Sequence, residues 1–280
     1  MNSLSSKIRL LATTVASLAI ALPTAPAQAY RIFFGEDLNL GSTNALSASP
    51  QSRAAETNFL NGLTNVGTET FEGFGAGTAG SLNLNFGSAG IATLQGGGVV
   101  RSNSQQNTNF GRYAVSGSKF WQADASGHDF GVGFSQSVAA FGFYGVDIGD
   151  FGGVLNLTLT LAQGGTRQML VPNTPGWQGY TNGSILYFGV IAENASEVFN
   201  SVSFNLNAPG EVDIFAFDNM TIGSLAQVKG AIPPPTVEAN IPQGNGVPPT
   251  QNVPEPGTLL AGLACLGLGG AAKRWRKRQR

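Results

Sequence analysis

Three stretches of this 280-residue chain alternate apolar and polar side chains one for one. Leu82, Leu84 and Phe86 alternate with Ser81, Asn83 and Asn85. Leu155, Leu157, Leu159 and Leu161 alternate with Asn156, Thr158 and Thr160. Val202, Phe204 and Leu206 alternate with Ser201, Ser203, Asn205 and Asn207. Successive side chains of an extended strand leave on opposite faces, so each stretch buries one face and wets the other. A period of two cannot line up one stripe of a helix. Further strands are expected at residues 31–37, 91–94, 113–115, 130–134, 138–146, 185–191 and 212–222, separated by Gly, Asn and Ser turns. Nine or ten short strands over nearly 200 residues predict an all-β fold, an antiparallel β-sandwich of jelly-roll-like type. No strand–helix–strand alternation speaks for a parallel α/β sheet. One short N-terminal helix is expected: Ser49 can cap it, Pro50 suits its first position, and Ala54, Ala55, Phe59, Leu60 and Leu63 recur near a 3.6 period before Asn61 and Gly62 close it.

The two ends differ from this body. Lys7 and Arg9 precede an apolar run over residues 10–22, and Ala27-Gln28-Ala29 supplies the small-x-small site of a signal peptide, so residues 1–29 are expected to be removed by signal peptidase and the mature chain to begin at Tyr30. The only cysteine, Cys265, lies near the C-terminus, which leaves the body without a thiol, a disulfide framework or a Cys-based metal site. Between Tyr30 and Gly230 there are 14 acidic and 7 basic side chains. This excess of negative charge argues against nucleic acid or anionic lipid as a partner, because phosphate binding rests on Lys and Arg. The domain is taken as residues 30–222. Residues 223–252 are rich in Pro, Gly, Asn and Gln (Pro233-Pro234-Pro235, Pro248-Pro249) and read as an extended spacer.

Residues 253–280 carry three features in order: Pro254-Glu255-Pro256, an uncharged Leu/Gly/Ala run over residues 257–272, and a basic end with Lys273, Arg274, Arg276, Lys277, Arg278 and Arg280. Sixteen residues of helix reach about 24 Å, short of a roughly 30 Å hydrocarbon core, so the run is a marginal transmembrane helix helped by Trp275 and snorkelling basic side chains. The plain reading is a permanent tail anchor. The three features together resemble the PEP-CTERM sorting tail, a bacterial signal handled by exosortase-type membrane proteases. That resemblance implies a membrane-attached intermediate, removal of the tail near the Pro-Glu-Pro sorting motif, and a body passed to the cell surface or released. Phe and Gly side by side over residues 140–153 and 186–191, with the Phe-Asp-Asn segment at residues 217–219, resemble the body of exported PEP-CTERM proteins of β-sandwich type.

Candidate chemistry in the body is sparse. Residues 75–80 match G-x-G-x-x-G but are followed by an alternating strand, so no helix N-terminus waits for a phosphate. His128 is the single histidine and sits in a polar stretch, and no Gly-x-Ser-x-Gly elbow accompanies it. Glu72 precedes the first alternating strand and Asp218 lies in the last one. The first and last strands of a jelly roll are commonly neighbours, so these carboxylates can face each other. Two like charges so placed favour a hard cation, with Asp213 and Asn219 as further oxygen ligands, which is Ca2+ chemistry. The arrangement is similar to carbohydrate-binding jelly rolls built around a structural calcium; hydrogen-bonded strand-end carboxylates are the plainer alternative. Trp121, Trp177 and Tyr180, set among Gln, Asn and Gly, suit stacking on sugar rings, against the alternative that the tryptophans plug the ends of the sandwich. The chain is therefore expected to be a non-enzymatic exported protein of the cell surface or extracellular matrix that binds polysaccharide. The reading from another class is a secreted carbohydrate-active hydrolase with an Asp/Glu pair.

Overall fold

The computed structural model describes residues 30–104, 110–124, 130–176, 180–207 and 213–230. The signal peptide, residues 231–252 of the spacer, the sorting tail, His128 and Trp177 lie outside the described residues. In chain order the elements are β1 (Tyr30–Asp37), α1 (Pro50–Asn61), β2 (Thr68–Glu69), β3 (Leu82–Asn85), β4 (Ile91–Gln95), β5 (Gly98–Ser102), β6 (Lys119–Asp124), β7 (Gly131–Val138), β8 (Ala140–Val146), β9 (Val154–Leu161), β10 (Thr166–Leu170), β11 (Ile185–Ala192), β12 (Phe199–Asn207) and β13 (Ile214–Gly223). They form two sheets, ordered β1-β11-β8-β13-β6-β5, with β2 also on β13, and β10-β9-β12-β7-β4-β3. Every pairing is antiparallel. The expected antiparallel sandwich with one N-terminal helix is what the chain forms.

The sheets meet through aromatic side chains. Phe204 of β12 reaches across to Phe143 (ring centroids 5.3 Å apart) and Phe217 (5.8 Å), while Phe143 stacks on Phe217 at 5.2 Å and Phe130 lies 4.6 Å from Phe204. All of these rings are fully buried. Edge-to-face and offset contacts of this kind add about 0.5–1.5 kcal/mol per pair beyond burial alone.

The outer faces of the sheets differ. β8 and β11 are buried at every position, because α1 lies over β1 and β11 on the side away from the other sheet. Gly142 and Gly189 are paired across these strands and leave a bare patch of backbone. Phe59 of α1 fills it: a Cβ on Gly189 would stand 2.6 Å from the Phe59 ring, and one on Gly142 3.0 Å away. The helix start is held from β1. Ser49 makes no side-chain cap, and the Asp37 carboxylate accepts from the Gln51 and Ser52 N–H groups (3.1 and 2.9 Å) and from Ser52 Oγ (2.8 Å). This satisfies orphan N–H groups and places negative charge at the positive end of the helix dipole.

The six-stranded sheet keeps the alternation read from the sequence. β9, β12 and β3 bury one residue in two, and the rest look outward. The register sets Gln168, Thr158, Ser203, Gly131 and Gln95 in one row across five strands of that outer face.

Three differences from the sequence reading follow from context. Residues 113–115 are a loop, not a strand. β5, β6 and β10, short and flanked by polar residues, were not anticipated as strands. Residues 223–230, assigned by composition to the spacer, return over the end of α1: Val228 bridges Leu63, Thr64 N–H donates to the Gln227 carbonyl at 2.9 Å, and Lys229 N–H to that of Gly62 at 2.9 Å.

Candidate functional site

β13 changes partner midway. It pairs with β6 over residues 214–217 and with β2 at Met220 and Thr221, and its register with β8 slips between Asp218 and Thr221. Asn219 takes a left-handed φ of 47° at this bulge, a conformation that Asn tolerates better than most side chains. Asp218 therefore sits where the ladder is interrupted, and its fully buried carboxylate replaces the missing strand. Oδ2 accepts from the Val115 and Ser116 N–H groups at 2.8 and 3.3 Å, Oδ1 accepts from Asn219 N–H at 2.8 Å, and Asn219 Oδ1 accepts from Ser116 Oγ at 2.6 Å. Glu72 holds the other side of the same loop. Its Oε1 accepts from Ser118 and Lys119 N–H at 2.7 and 2.6 Å, and Oε2 from Ser118 Oγ at 3.1 Å. Gly117, at φ 65°, lies between the two grips, and a Cβ there would stand 2.6 Å from the Glu72 carboxyl.

Glu72 and Asp218 thus hold one loop from its two ends, Asp218 at Val115 and Ser116 and Glu72 at Ser118 and Lys119. Asp213 does not join them. Its Oδ2 accepts from Gly149 N–H at 3.0 Å, beside Asp147 and Asp150. Glu72, Asp213, Asp218 and Asn219 do not form one calcium shell, and most of their oxygens are engaged by backbone or hydroxyl donors. Among the described residues no group of three or more His, Cys, Asp or Glu is placed to hold a metal ion.

A second acidic centre gathers in the turn at Asp147 and Asp150, where the sequence placed both carboxylates in a turn but gave no sign of their partners. Asp147, at φ 72°, accepts from Gly183 N–H at 3.0 Å and from Arg112 Nη1 at 3.2 Å; the same Nη1 donates to the Ile214 carbonyl at 3.2 Å. Asp150 accepts from Thr181 Oγ1 at 2.9 Å and from the Asn182 amide turned nitrogen inward. Loop backbone closes round them, with Gly176 N–H donating to the Gly149 carbonyl at 2.7 Å and Gly152 N–H to the Gly176 carbonyl at 2.6 Å. Three buried carboxylates thus lie in the field of one guanidinium, which pairs directly with Asp147 alone. The signal was present in Asp147-Ile148-Gly149-Asp150, but the partners Arg112, Thr181 and Asp213 are distant in sequence.

The environment sets the protonation of these groups. Burial pushes Asp213 up to about 8, with Asp150 and Asp147 adding repulsion against the opposing Gly149 N–H. Burial and the Asp150 charge bring Asp147 to about 7, against Gly183 N–H and Arg112. Asp150 is raised, again by burial. Asp218 reaches about 7 through burial, in spite of three backbone N–H donors and with Glu72 adding to the rise. Glu72 goes the other way: desolvation pushes it up, but Ser118 and Lys119 outweigh this and hold it below the ordinary carboxylate range.

The aromatic candidates separate as well. Trp121 is not in a loop. It lies in β6, fully buried, over Gly98 and 6.5 Å from the Phe71 ring, so it plugs the sandwich and offers no face to a sugar. Tyr180 is about half exposed. Residues 75–80 form a turn hydrogen-bonded to Val100 and lead into β3.

Residues 252–279 match the PEP-CTERM protein-sorting motif, so the chain carries the address of an exported protein sorted by exosortase through a membrane-attached intermediate. Among the described residues no helix is long and apolar enough to cross a membrane, and the apolar run of the tail lies outside them. No curated protein and no solved structure matches the chain.

Proposed function

We propose that the body is a non-catalytic component of the cell surface or extracellular matrix, delivered by its sorting tail, and that it binds polysaccharide. The observation that carries this reading is the employment of the carboxylates. Glu72, Asp213 and Asp218 each accept from the backbone N–H of a loop or bulge, and Asp147 and Asp150 are tied into the walls around Arg112. Their work is to hold turns that have no ladder partner. A panel of polysaccharides tests it: retention of the polymer without release of shorter sugars supports a binding module. Intact mass of the exported protein tests the delivery, with a chain beginning at Tyr30 and lacking Trp275 expected; an intact C-terminus would sink exosortase processing.

One observation favours a carbohydrate-active hydrolase instead. Carboxyls held protonated to about 7 and about 8, as at Asp147 and Asp213, have the character of a general acid. Polysaccharide turnover abolished by Asp213→Asn without loss of folding would establish this second reading.

A further inference from the structure

Charge is distributed unevenly between the two sheets. The strands of the seven-stranded sheet carry Arg31, Glu36, Asp37, Glu69, Arg101, Lys119, Asp124 and Asp218. In the six strands of the other sheet the single charged residue is Arg167, on edge strand β10, and it is paired with Glu197 at 3.0 Å. The outward positions of that sheet are mostly hydroxyls, amides and glycines, with Ile91, Val154 and Leu170 as apolar exceptions at the strand ends. A second row runs beside the one already described: Thr166, Thr160, Ser201, Gly133, Thr93 and Asn83 in register across all six strands. Folding alone does not ask for this. Solvent-facing positions ordinarily include Lys, Glu, Arg and Asp.

From this face we infer the docking surface for the polysaccharide, and that the polymer is neutral and lies along β7; the inference rests on the polysaccharide-binding reading above. A charge covered by a neutral polymer loses its water without gaining a partner, whereas a hydroxyl or amide exchanges water for sugar hydroxyls at little cost. A face that is to be covered by neutral sugars therefore excludes charge, and the excess acid of the rest of the body disfavours a polyanion. β7 supplies the shape. Gly131 and Gly133 place no side chain on the outer face, between Gln95 and Thr93 on one flank and Ser203 and Ser201 on the other, which leaves a strip one strand wide that only the movable Gln95 amide leans into. Glycine weakens a strand interior and marks places where a ligand or another backbone comes close. Same-face side chains recur about every 6.8 Å along a strand, so the two polar rows cross a polymer lying along β7 at successive intervals. Each contact is worth little, and affinity comes from many along one chain.

Affinity electrophoresis of the exported protein in gels containing dextran, hydroxyethyl cellulose or alginate tests this. Retardation by a neutral polymer is expected, with Thr160→Glu/Ser203→Glu weakening it at least tenfold at an unchanged melting temperature and Ser203→Thr behaving as the parent protein. Retardation that survives the double substitution but is lost in Tyr180→Ala overturns the face and leaves the binding function standing. Retardation by alginate alone overturns the neutral ligand. No retardation by any polymer overturns the binding function and the face with it. Self-association abolished by the double substitution, without retardation, identifies a second copy of the chain as the occupant and also overturns the proposal.

Discussion

The two sheets solve the same burial problem with opposite outer faces. On one, α1 lies over β1 and β11, so β8 and β11 are apolar or glycine at nearly every position and the strands read as continuous hydrophobic runs. On the other, nothing helical among the described residues lies outside β9, β12 and β7, and the strands alternate. Alternation in a wet sheet requires only polar side chains outside, and Lys or Glu would satisfy it as well as Thr or Asn. Thr, Ser, Asn and Gln fill most of those places, with Gly131 and Gly133 between them and Ile91 and Leu170 as exposed apolar exceptions at strand ends.

The largest effect should come from the seam that both sheets share. Phe204→Ala is expected to lose about 3–5 kcal/mol in urea unfolding, because it empties a space among Phe143, Phe217 and Phe130. A loss below about 1 kcal/mol would mean that the sheets are not held together there. Matched glycine substitutions then set the two sheets against each other. Gly189→Ala drives a methyl into the Phe59 ring, 2.6 Å away, and should destabilise by about 1–3 kcal/mol. Gly133→Ala meets only the movable Gln95 amide at 3.2 Å, and should be neutral or stabilising by about 0.4–1 kcal/mol through the unfolded chain. Equal losses at both positions would erase the distinction between a covered and an open face. Asp37→Ala removes the bonds that hold the start of α1 and should cost about 1–2 kcal/mol, read as loss of helical signal and a lowered melting temperature.

These predictions also mark how much was legible. β3, β9 and β12 stood out in the sequence because a period of two is an unambiguous signature of a half-wet strand. The apolar runs of β8 and β11 were equally visible, but the packing of Phe59 over Gly142 and Gly189 was not, because it joins a helix to strands far away in sequence. β5, β6 and β10 were hidden. Lys119-Phe120-Trp121-Gln122 shows no alternation because Phe120 and Trp121 are both buried, and Thr166-Arg167-Gln168 looks like a turn. Residues 113–115 looked like a strand, but Val115 N–H donates to Asp218, 103 residues away, and Ala114 N–H to Asn103 Oδ1. That Glu72 and Asp218 grip one loop follows from β2 pairing with β13, and not from neighbouring end strands: β3, which Glu72 precedes, lies in the other sheet. The separation of Asp213 from Asp218 was not readable either, because it depends on the loop after β8 reaching Arg112. Trp121 misled for a related reason: polar neighbours in sequence say nothing about what lies above and below a strand.

The acidic centres belong to the covered sheet and give it a pH dependence that the open one lacks. An unfolded aspartate releases its proton near pH 3.9, whereas Asp147 and Asp218 hold theirs to about 7 and Asp213 to about 8. Between these limits the folded state binds more protons, so stability is greatest toward the acid end of the window and falls as pH rises through it. The slope is at most about 1.4 kcal/mol per pH unit for each proton involved. Melting temperature should be higher at pH 5 than at pH 8, and Asp213→Asn should flatten the trend, since its amide oxygen can still accept from Gly149. A melting temperature that climbs with pH would contradict burial as the dominant influence. Chelator should have a smaller effect still. With Glu72 and Asp218 gripping the loop at residues 115–119 by direct hydrogen bonds, EDTA is expected to leave the melting curve unchanged, and a drop of several degrees would restore calcium to that loop.

The contrast between the sheets is tested most directly by placing the same charge on each. Retardation in a neutral glucan gel should fall at least tenfold for Thr160→Glu/Ser203→Glu on the open sheet, and should stay at the parent value for Ile32→Glu, an exposed position on β1 of the covered sheet. Equal losses from both sheets, or a loss from Ile32→Glu alone, would contradict the assignment of binding to the uncharged face.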